Sequence, residues 1–484
     1  MNENTISPRA ASWREELRKS MPARERTSIA RVAMPELTPD ARVRSLTDEV
    51  NAGLNREQAV MEAKRCLDCP DPQCVTGCPV SINIPGFIKN IERGEFGQSL
   101  QVLRETSALP AVCGRVCPQE KQCESKCIYN RMNKPAVAIG YLERFAADNA
   151  ESSPIAQPES NGIKIAVAGS GPAGLSFAGS MAAKGYDVTV FEALHEIGGV
   201  LKYGIPEFRL PNSVVEREIE SLRALGVTFE TNTIVGKTLS YDDLHNLGFK
   251  GLFVASGAGL PRFMNIPGEN LINVLSANEY LTRINLMHAG TPGYATPVYR
   301  GKTVAIIGGG NTAMDSCRTA KRMGAERVIV VYRRSEAEMP ARAEEVKHAR
   351  EEGVEFMTLH NPIEYLGDEN GRVRAMRLQR MELGEPDADG RRSPVAVNGA
   401  IEEIATDQVI VSVGVSPNPL IPEAINSLEV TRRGTIAADA DTLKTSLPDV
   451  YAGGDIVRGG ATVILAMGDG RKAAESMHQQ LQNS

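Results

Sequence analysis

The chain has 484 residues, of which 42% are hydrophobic and 24% are charged. This composition is that of a globular protein, and the length suffices for two to four domains with their own cores, so a disordered scaffold is excluded. The formal net charge of −6 provides no general basic surface, and we therefore expect no nucleic-acid partner.

The first 50 residues are polar and charged, with a short helical pattern from Trp13 to Met21. They begin without the cationic and apolar regions of a secretion signal, and no part of the sequence is apolar for long enough to cross a bilayer. We therefore expect a protein that is soluble, cytoplasmic and free of membrane contacts.

Residues 66–127 contain eight of the nine cysteines, and the segments around them have helical patterns. One of these segments, Gly86 to Arg104, spaces its apolar residues by three and four, which predicts an amphipathic helix. The cytosol keeps thiols reduced, so disulfides do not explain the crowding. The sequence predicts an all-α domain over residues 1–155 whose cysteines bind metal.

These cysteines fall into two runs, and each run contains a cysteine followed directly by proline. The runs are Cys66, Cys69, Cys74 and Cys78, and then Cys113, Cys117, Cys123 and Cys127. A Cys-x3-Cys-Pro ending is typical of ferredoxin-like iron–sulfur ligation, in which the fourth cysteine of a run can serve the other cluster. Thiolates also suit zinc, so a non-enzymatic scaffold with structural zinc is the alternative.

A stretch rich in Ser, Pro, Gln and Asn, from Glu151 to Gly162, predicts a linker, because it has nothing to bury and contains helix breakers. After it, short β-branched runs alternate with helical patterns. This alternation is typical of parallel sheets with crossover helices, and it predicts nucleotide-binding domains behind the all-α domain.

The first of these domains begins with a glycine-rich turn between the predicted strand Lys164–Ala168 and a helix. Gly169 permits the tight turn, Gly171 lets the backbone approach a pyrophosphate, and Gly174 lets helix and strand pack closely. The next predicted strand ends at Glu192, where an acceptor would bind ribose hydroxyls. The predicted dinucleotide site consists of Gly169, Gly171, Pro172, Ala173, Gly174 and Glu192.

A second turn of the same design follows the predicted strand Lys302–Ile307. Its residues are Gly308, Gly310, Asn311, Thr312 and Ala313. The following strand ends in Arg333 and Arg334, at the place where a ribose-binding carboxylate usually stands. Two guanidinium groups there favour a 2′-phosphate, and therefore NADP over NAD. In the other interpretation, both arginines are solvated at the strand end.

A third feature lies further along, where a predicted strand ends in Gly454 and Asp455 and a helix begins near Thr462. The acidic side chain can accept from a flavin ribitol, and the helix N-terminus can stabilise negative charge on a reduced flavin. We therefore expect a discontinuous FAD-binding domain over residues 156–295 and 408–484, with an NADPH-binding domain over residues 296–407 inserted in it.

Over residues 162–480, this arrangement resembles the flavoprotein superfamily that includes thioredoxin reductase and adrenodoxin reductase. Nearly the whole chain is similar to the small subunit of NADPH-dependent glutamate synthase and to the N-terminal part of dihydropyrimidine dehydrogenase. The stretches that carry this similarity are Leu109–Pro118, Ile197–Pro206, Gly308–Asp315 and Tyr332–Pro340. Two others, Ser256–Gly268 and Val413–Ile421, are closer to the branch that includes the large subunit of NADH-dependent ferredoxin:NADP oxidoreductase, sulfide dehydrogenases and so-called homotetrameric glutamate synthases.

The resemblance implies ligands that cross between the two cysteine runs. One [4Fe–4S] cluster takes Cys66, Cys69, Cys74 and Cys127, and the other takes Cys78, Cys117, Cys123 and Glu143. Cys113 is left without a cluster, and the matching stretch from Ile197 adds Gly199 and Val200 to the FAD site. A carboxylate ligand should shift the potential of its cluster. In the other interpretation, Glu143 is an ordinary exposed helical residue.

The fold implied is an α/β flavoprotein with two Rossmann-like, three-layer dinucleotide-binding domains, preceded by an all-α domain that carries the two iron–sulfur clusters. The implied activity is that of an NADPH-dependent oxidoreductase with FAD, NADP(H) and two [4Fe–4S] clusters. No acid–base residue is named, because hydride passes when the nicotinamide and flavin rings stack.

The expected partner is a second redox subunit, because the regions of this chain leave no place for a glutaminase or a second flavin-bearing barrel. That subunit is a glutamate synthase large subunit in the primary hypothesis. In the alternative, the chain is the large subunit of an electron-bifurcating NADH-dependent ferredoxin:NADP oxidoreductase. It then works with a small ferredoxin–NAD reductase subunit and with ferredoxin. An oligomer is expected in both cases.

Overall fold

The structure is a computed structural model that describes residues 6–150, 156–388 and 390–483. A helical region is followed by two parallel sheets that are flanked by helices, which confirms the predicted fold class. The predicted domain boundary at residue 155 and the start of the predicted linker at Glu151 lie outside the described residues. None of the helices within the described ranges is both long and apolar enough to cross a membrane.

The helical region is built from short helices. They are α1 Ser12–Ser20, α2 Ala23–Arg26, α3 Pro39–Arg42, α4 Arg56–Lys64, α5 Gln73–Thr76, α6 Ile84–Glu92, α7 Phe96–Arg104, α8 Pro110–Val116, α9 Ile128–Arg131 and α10 Ile139–Asn149. The segment predicted as one helix from Gly86 to Arg104 is divided into α6 and α7. Gly94 lies between them with a φ of 85°, and this left-handed backbone cannot continue a right-handed helix.

The strands and helices after the helical region alternate as the sequence predicts. The strands are β1 Lys164–Ala168, β2 Asp187–Phe191, β3 Thr228–Glu230, β4 Phe249–Val254, β5 Leu260–Pro261, β6 Val274–Ser276, β7 Thr303–Ile307, β8 Arg327–Tyr332, β9 Glu355–Thr358, β10 His360–Gly367, β11 Val373–Pro386, β12 Arg392–Ala405, β13 Gln408–Val411, β14 Val415–Ser416 and β15 Val450–Ala452. The helices are α11 Pro172–Ala182, α12 Val200–Tyr203, α13 Asn212–Ala224, α14 Tyr241–Asn246, α15 Ala277–Asn285, α16 Asn311–Arg322, α17 Ala343–Glu351, α18 Leu420–Ala424, α19 Asp455–Arg458 and α20 Val463–Gln482.

The first parallel sheet has the strand order β15-β4-β1-β2-β3. Its interior strands are buried, which explains their continuous apolar sequences. The strand β15 comes from much later in the chain and pairs with β4 in parallel. Buried side chains of the helical region and of this first sheet domain form one continuous core, so the two are packed as a unit.

The second parallel sheet has the order β6-β13-β7-β8-β9, and β10, β11 and β12 form an antiparallel sheet beside it. The strands β6 and β13 are paired with each other. Residues 274–276 and 408–411 therefore belong to the second sheet domain, and the boundaries predicted at 296 and 407 are wrong. The strands concerned, β6 and β13, have only three or four residues each. A run this short does not show from its apolar pattern to which sheet it belongs.

Candidate functional site

The first glycine-rich turn has two positions that only glycine can occupy. Gly169 has a φ of 107°, and a Cβ added there would lie 2.5 Å from the carbonyl oxygen of Ala255. A Cβ on Gly174 would lie 2.0 Å from the carbonyl oxygen of Gly169. Gly171, in contrast, has no atom within 4 Å of the place where a Cβ would lie, and it is the residue before α11. The turn thus presents open backbone and a helix N-terminus to any anion that approaches.

The carboxylate of Glu192 is fixed at the end of β2 beside this turn. Its Oε2 accepts hydrogen bonds from the backbone nitrogen of Ser170 at 2.9 Å and from the Ser170 hydroxyl at 2.6 Å. Its Oε1 accepts from the backbone nitrogen of Leu194 at 2.9 Å. The Ser170 hydroxyl also accepts from the backbone of Gly198 at 2.9 Å. Sequence reasoning missed Ser170, because nothing in the turn motif distinguishes its side chain.

A cavity of about 1190 Å³ opens over this turn. It exceeds the range of about 300–1,000 Å³ that drug-sized ligands occupy, so it has room for a dinucleotide. The predicted FAD residues that line it are Gly169, Gly171, Pro172, Ala173, Glu192, Gly199, Val200, Gly454, Asp455 and Thr462. Gly174 lies behind the turn, where helix and strand are in contact.

Two titratable side chains, those of Asp455 and Tyr203, also line this cavity. Burial raises the pKa of Asp455 above its usual range. Burial, followed by the charges of Asp455 and Glu192, raises the pKa of Tyr203 to about 12. Tyr203 therefore keeps its proton and can donate a hydrogen bond into the cavity, a role that the sequence did not indicate. The Thr462 hydroxyl accepts from the backbone of Leu465 at 3.4 Å and caps α20, whose N-terminus faces the cavity.

The second glycine-rich turn reaches the same cavity from the other sheet. Gly308 has a φ of 140°, and a Cβ there would lie 2.2 Å from the carbonyl oxygen of Ser412. Gly310 is the residue before α16, and Asn311 and Thr312 line the cavity. The other predicted residues of this site, Gly308, Gly310, Ala313, Arg333 and Arg334, are outside the lining.

The two arginines at the end of β8 have different surroundings. Arg334 is buried, and it donates to the carbonyl oxygen of Arg392 and to a carboxylate oxygen of Asp387, both at 2.8 Å. Arg333 is exposed and forms no ion pair with any residue that the structure describes. The interpretation that both are solvated is therefore wrong for Arg334. Arg333 is the arginine whose guanidinium is available to a phosphate.

A buried ion pair joins the two sheet domains at the edge of the cavity. Arg209 precedes α13 and donates to both carboxylate oxygens of Asp315 on α16, each at 2.7 Å. It also pairs with Glu345 at 3.1 Å. Burial raises the pKa of Asp315 to about 6, although Arg209 opposes this shift. Arg209 and Asp315 both line the cavity, so the pair fixes one domain against the other where two dinucleotides would meet.

The cysteines of the helical region assemble into two groups that cross between the two runs. The nearby charges that add to burial in raising the pKa of the Cys74 thiol are those of Cys66, Cys127 and Cys69. We call Cys66, Cys69, Cys74 and Cys127 the first thiol group. Its members are the ones that the resemblance implies for one cluster.

The remaining ligands that the resemblance implies also lie together. Burial and the charges of Glu124, Glu143, Cys117 and Cys78 raise the pKa of the Cys123 thiol. We call Cys78, Cys117, Cys123 and Glu143 the second thiol group. Cys113 lies beside it, with its Sγ 3.5 Å from the Met467 sulfur of α20. All nine cysteines of the chain are free thiols in the structure, so no disulfide competes for them.

Glu143 has the properties of a buried ligand. Its side chain is 5% exposed, its Oε1 has no hydrogen-bond partner among the described residues, and burial raises its pKa to about 8. The interpretation as an exposed helical residue is therefore wrong. An unpartnered buried carboxylate is costly unless something binds it, and here it faces thiols, so the donor set fits an iron–sulfur centre.

The spacing of the thiols also bears on the zinc alternative. Within the described ranges, the ligand atoms that all lie within 4.8 Å of one another belong to Glu36, His348 and Glu351, not to the cysteines. Zinc–thiolate bonds of 2.3 Å in a tetrahedron place sulfurs about 3.8 Å apart. No three cysteine sulfurs in these ranges lie within 4.8 Å of one another, so the thiols do not have the spacing of a zinc–thiolate site. The carboxylates of Glu36 and Glu351 already form ion pairs, with Arg42 and, for Glu36, also with Lys347.

The second thiol group lies beside the cavity. Val116 and Pro118, the neighbours of Cys117, are part of the cavity lining. A Cβ on Gly114 would lie 2.5 Å from the backbone nitrogen of Arg144, so α8 and α10 pack backbone against backbone and hold Cys117 and Glu143 together. The cavity is thus bordered by both glycine-rich turns and by one thiol group.

Two family models match the chain. Residues 42–155 match dihydropyrimidine dehydrogenase domain II, 4Fe-4S cluster, and residues 163–470 match pyridine nucleotide-disulphide oxidoreductase.

Among proteins of known name, the chain is 39% identical over 455 residues to the small chain of NADPH glutamate synthase from Azospirillum brasilense. That similarity covers 92% of this chain and 94% of the relative. The chain is also 39% identical over 435 residues to the beta subunit of the NADP(+)-dependent formate dehydrogenase of Moorella thermoacetica. In that case it covers 84% of this chain and 60% of the longer relative.

Among solved structures, FprA from Mycobacterium tuberculosis in complex with NADPH superposes with a TM-score of 0.56 at 21% identity. The superposition covers 66% of this chain and 85% of FprA. At this identity the likeness concerns the fold alone.

Proposed function

Because the chain belongs to the family of the glutamate synthase small chain, we propose that it delivers electrons from NADPH to a separate catalytic subunit. The activity common to this family is that of an NADPH-dependent FAD oxidoreductase with an iron–sulfur domain. FAD, NADP(H) and [4Fe–4S] clusters are its cofactors, so the predicted enzyme class and cofactors are confirmed.

The observation that carries the proposal is the single cavity shared by three parts of the chain. It is lined by Asn311 of the second turn, by Gly171 of the first turn, and by Val116 and Pro118 beside Cys117. Electron delivery from a hydride donor to a one-electron carrier needs these sites to adjoin. A cavity that borders only two of them would serve a simple reductase.

The residues around the first turn fit FAD. The backbone from Gly169 to Ala173 and the N-terminus of α11 would bind the pyrophosphate, and Glu192 would accept from the ribose hydroxyls. Asp455 and Thr462 lie where the ribitol and the flavin ring would come, next to the N-terminus of α20. FAD supplies the conversion between the two-electron chemistry of nicotinamide and single-electron transfer when it is bound.

The residues around the second turn fit NADPH. Asn311 and Thr312 would present backbone N–H groups to the pyrophosphate, and the exposed Arg333 would bind the 2′-phosphate by charge-assisted hydrogen bonds. Arg334 would not bind the phosphate directly, because its guanidinium is already bound to the β11–β12 hairpin. The Arg209–Asp315 pair would fix the two sheet domains relative to each other, and with them the two bound dinucleotides.

The two thiol groups would each bind one [4Fe–4S] cluster, which we call cluster 1 and cluster 2 after the first and second thiol groups. Cluster 2 would adjoin the cavity, and cluster 1 would lie on the way out to a partner. The relatives named above are chains of multi-subunit enzymes, which supports a partner subunit for this chain. We infer that this partner is a glutamate synthase large subunit. Oligomeric state and cytoplasmic location stay predictions.

Reconstitution under anaerobic conditions tests the partner. The purified chain, with FAD and iron content measured, is mixed with a glutamate synthase large subunit and with 2-oxoglutarate, which accepts the amide nitrogen of glutamine and the electrons, and NADPH oxidation is followed with and without glutamine. We expect oxidation to require glutamine and both proteins, and each protein alone serves as the control. Oxidation that instead requires a small ferredoxin–NAD reductase subunit, ferredoxin and NAD+ would favour the bifurcating alternative and refute the glutamate synthase assignment.

A further inference from the structure

One contact network connects the second glycine-rich turn to the second thiol group, and Arg342 is at its centre. The Arg342 side chain is 4% exposed. The backbone nitrogen of Arg342 donates to Oδ1 of Asn311 at 2.9 Å, and that of Ala341 donates to the carbonyl oxygen of Gly309 at 3.2 Å. The segment before α17 is thereby fixed to the turn that would bind the nucleotide pyrophosphate.

The side chain of Arg342 leaves its own domain and enters the helical region. Its Nη1 donates to the carbonyl oxygen of Arg115 at 2.6 Å, and its Nη2 donates to Oε1 of Gln119 at 2.9 Å. Arg115 and Gln119 stand two positions before and two positions after Cys117. Because a guanidinium is planar and rigid, the two bonds hold both sides of the Cys117 segment at a fixed geometry.

Gln119 extends the network to both helices of the second thiol group. Its amide nitrogen donates to the carbonyl oxygens of Cys113 and Gly114 in α8, at 3.4 and 3.3 Å. A Cβ on Gly140, at the start of α10, would lie 2.3 Å from the same amide nitrogen. A displacement of Gln119 is therefore transmitted to α8 through these hydrogen bonds. It is also transmitted to the helix that carries Glu143, because Gln119 packs directly against Gly140.

Three further hydrogen bonds run in parallel with those of Arg342. The ammonium of Lys121 donates to the carbonyl oxygens of Pro340 and Ala341, at 2.9 and 3.0 Å. The backbone nitrogen of Ala343 donates to Oε1 of Glu120 at 3.2 Å. Three consecutive residues of the helical region thus contact the segment from Pro340 to Ala343.

We propose that Arg342 is a positioning residue that couples nucleotide binding at the second turn to the reduction potential of cluster 2. This inference rests on the proposed function, in which the second thiol group binds a cluster. A nucleotide that orders Asn311 also orders Arg342, and Arg342 sets the position of the peptide around Cys117. Linkage requires the converse, so the oxidation state of cluster 2 changes nucleotide affinity by the same factor.

The test uses the complete enzyme and a ligand that cannot react. The ligand 2′-phospho-ADP-ribose has the pyrophosphate and the 2′-phosphate of NADP but no nicotinamide, so it accepts no hydride. The potential of cluster 2 is measured by electron paramagnetic resonance with and without this ligand, and the dissociation constant is measured for oxidised and reduced enzyme. We expect affinities that differ by about fivefold, which equals a shift of about 40 mV for a one-electron couple.

Variants assign this coupling to Arg342. In R342Q the two affinities should become equal within error and the potential shift should disappear. R342K keeps the charge but replaces the rigid planar guanidinium by a flexible ammonium, so it should lose most of the shift. The matched control is R42Q. Arg42 is also buried and also joins the helical region to α17, through Glu351 at 2.7 Å, but it contacts neither the turn nor the Cys117 segment.

A shift that persists in R342Q, or that disappears equally in R42Q, would overturn the proposal. If R342Q does not load iron, K121A replaces it, because Lys121 is exposed and its loss leaves the core intact. K121A should then reduce the shift, and an unchanged shift in K121A would count against the network. Failure of the proposed function is recognised separately, as a wild-type enzyme without the signal of cluster 2.

Discussion

The two thiol groups lie in the same helical region and consist mostly of cysteine side chains, yet their surroundings differ. The first group lies among cations. Lys89 donates to the carbonyl oxygen of Cys66 at 2.6 Å, and Arg14 and Arg18 both pair with Asp68, which lies between Cys66 and Cys69. Nearby positive charge favours the reduced form of a cluster, so we expect the higher potential at cluster 1.

The second group has a carboxylate inside its ligand set and a cavity beside it. Glu143 would take the place of a fourth thiolate with a carboxylate of the same charge, whereas a further acidic side chain, Glu124, lies near Cys123 outside the ligand set. The charge of Glu124 favours the oxidised form of cluster 2, so we expect a lower potential there. From this difference in neighbouring charge, we expect electrons to move from cluster 2, on the cavity side, to cluster 1, on the cationic side.

The largest expected effect comes from removing the charge of Asp68. Its carboxylate is fully buried and binds Arg14 and Arg18, so Asp68→Asn leaves a buried arginine without its counterion. Loss of one partner of a buried pair costs about 3–5 kcal/mol. We expect the free energy of unfolding to fall by that amount, measured by denaturant titration, and iron to fall from about eight to about four atoms per chain.

The matched control is Glu124→Gln near the second thiol group. Glu124 pairs with Arg31 at 2.9 Å, and burial already raises its pKa, so the loss of its charge should cost less. Equal losses of stability in both variants would contradict the contrast between the two sites.

The next largest effect concerns Cys66, a buried member of the first group. Cys66→Ser should slow the reduction of a one-electron acceptor about 100-fold, which corresponds to about 2.7 kcal/mol of activation free energy. Reduction of the flavin by NADPH should keep its rate, because the first group takes no part in the cavity lining. Stopped-flow absorbance separates the two steps. A slower flavin reduction in this variant would place cluster 1, and not cluster 2, on the cavity side.

Glu143→Gln is expected to shift one potential and not the other. The amide has nearly the shape of the carboxylate but no charge, so the reduced form of cluster 2 gains relative to the oxidised form. We expect its potential to rise by about 60 mV, a tenfold change in the reduction equilibrium. Redox titration with electron paramagnetic resonance measures both clusters in one sample. A shift of cluster 1, or of neither cluster, would show that Glu143 is not the ligand that distinguishes the sites.

The smallest effect is kinetic and needs no mutation. Three of the four cysteines of the first group (Cys69, Cys74 and Cys127) are half-buried, whereas in the second group Cys78 is half-buried and Cys117, Cys123 and Glu143 are buried. Oxygen and chelators should therefore reach cluster 1 first, and we expect it to be lost severalfold faster in air. The decay of the two paramagnetic signals over time measures this. Loss of both clusters at one rate would mean that a shared opening motion, and not side-chain burial, limits access.

Features with a local cause could be predicted from the sequence. Both glycine-rich turns and the strands before them follow from short motifs, since Gly169 and Gly174 are required by contacts within the turn and with the adjacent strand end. The break at Gly94 was missed because apolar spacing continues across it. The three-residue strand β6 was missed because it is too short to show a period.

Features that depend on distant partners could not be predicted. The pairing of Cys127 with the first run came from a family resemblance, and spacing alone left it open. Arg334 and Arg333 look alike in the sequence, and Arg334 differs by its burial and by its bonds to Asp387 and to the carbonyl oxygen of Arg392. Arg342 carries no motif, since its role depends on Asn311 and on Gln119, which are far from it in sequence.

The close packing of α20 on the first turn has a consequence for how the protein is made. A Cβ on Gly470 would lie 2.2 Å from the carbonyl oxygen of Ala173, and Met467 lies against Cys113. A ribosome that adds about 5–20 residues per second needs roughly 15–60 seconds between the first turn and α20. During that time the growing chain displays its thiols and half of its flavin site, because the last helix, which covers both, has not yet been made.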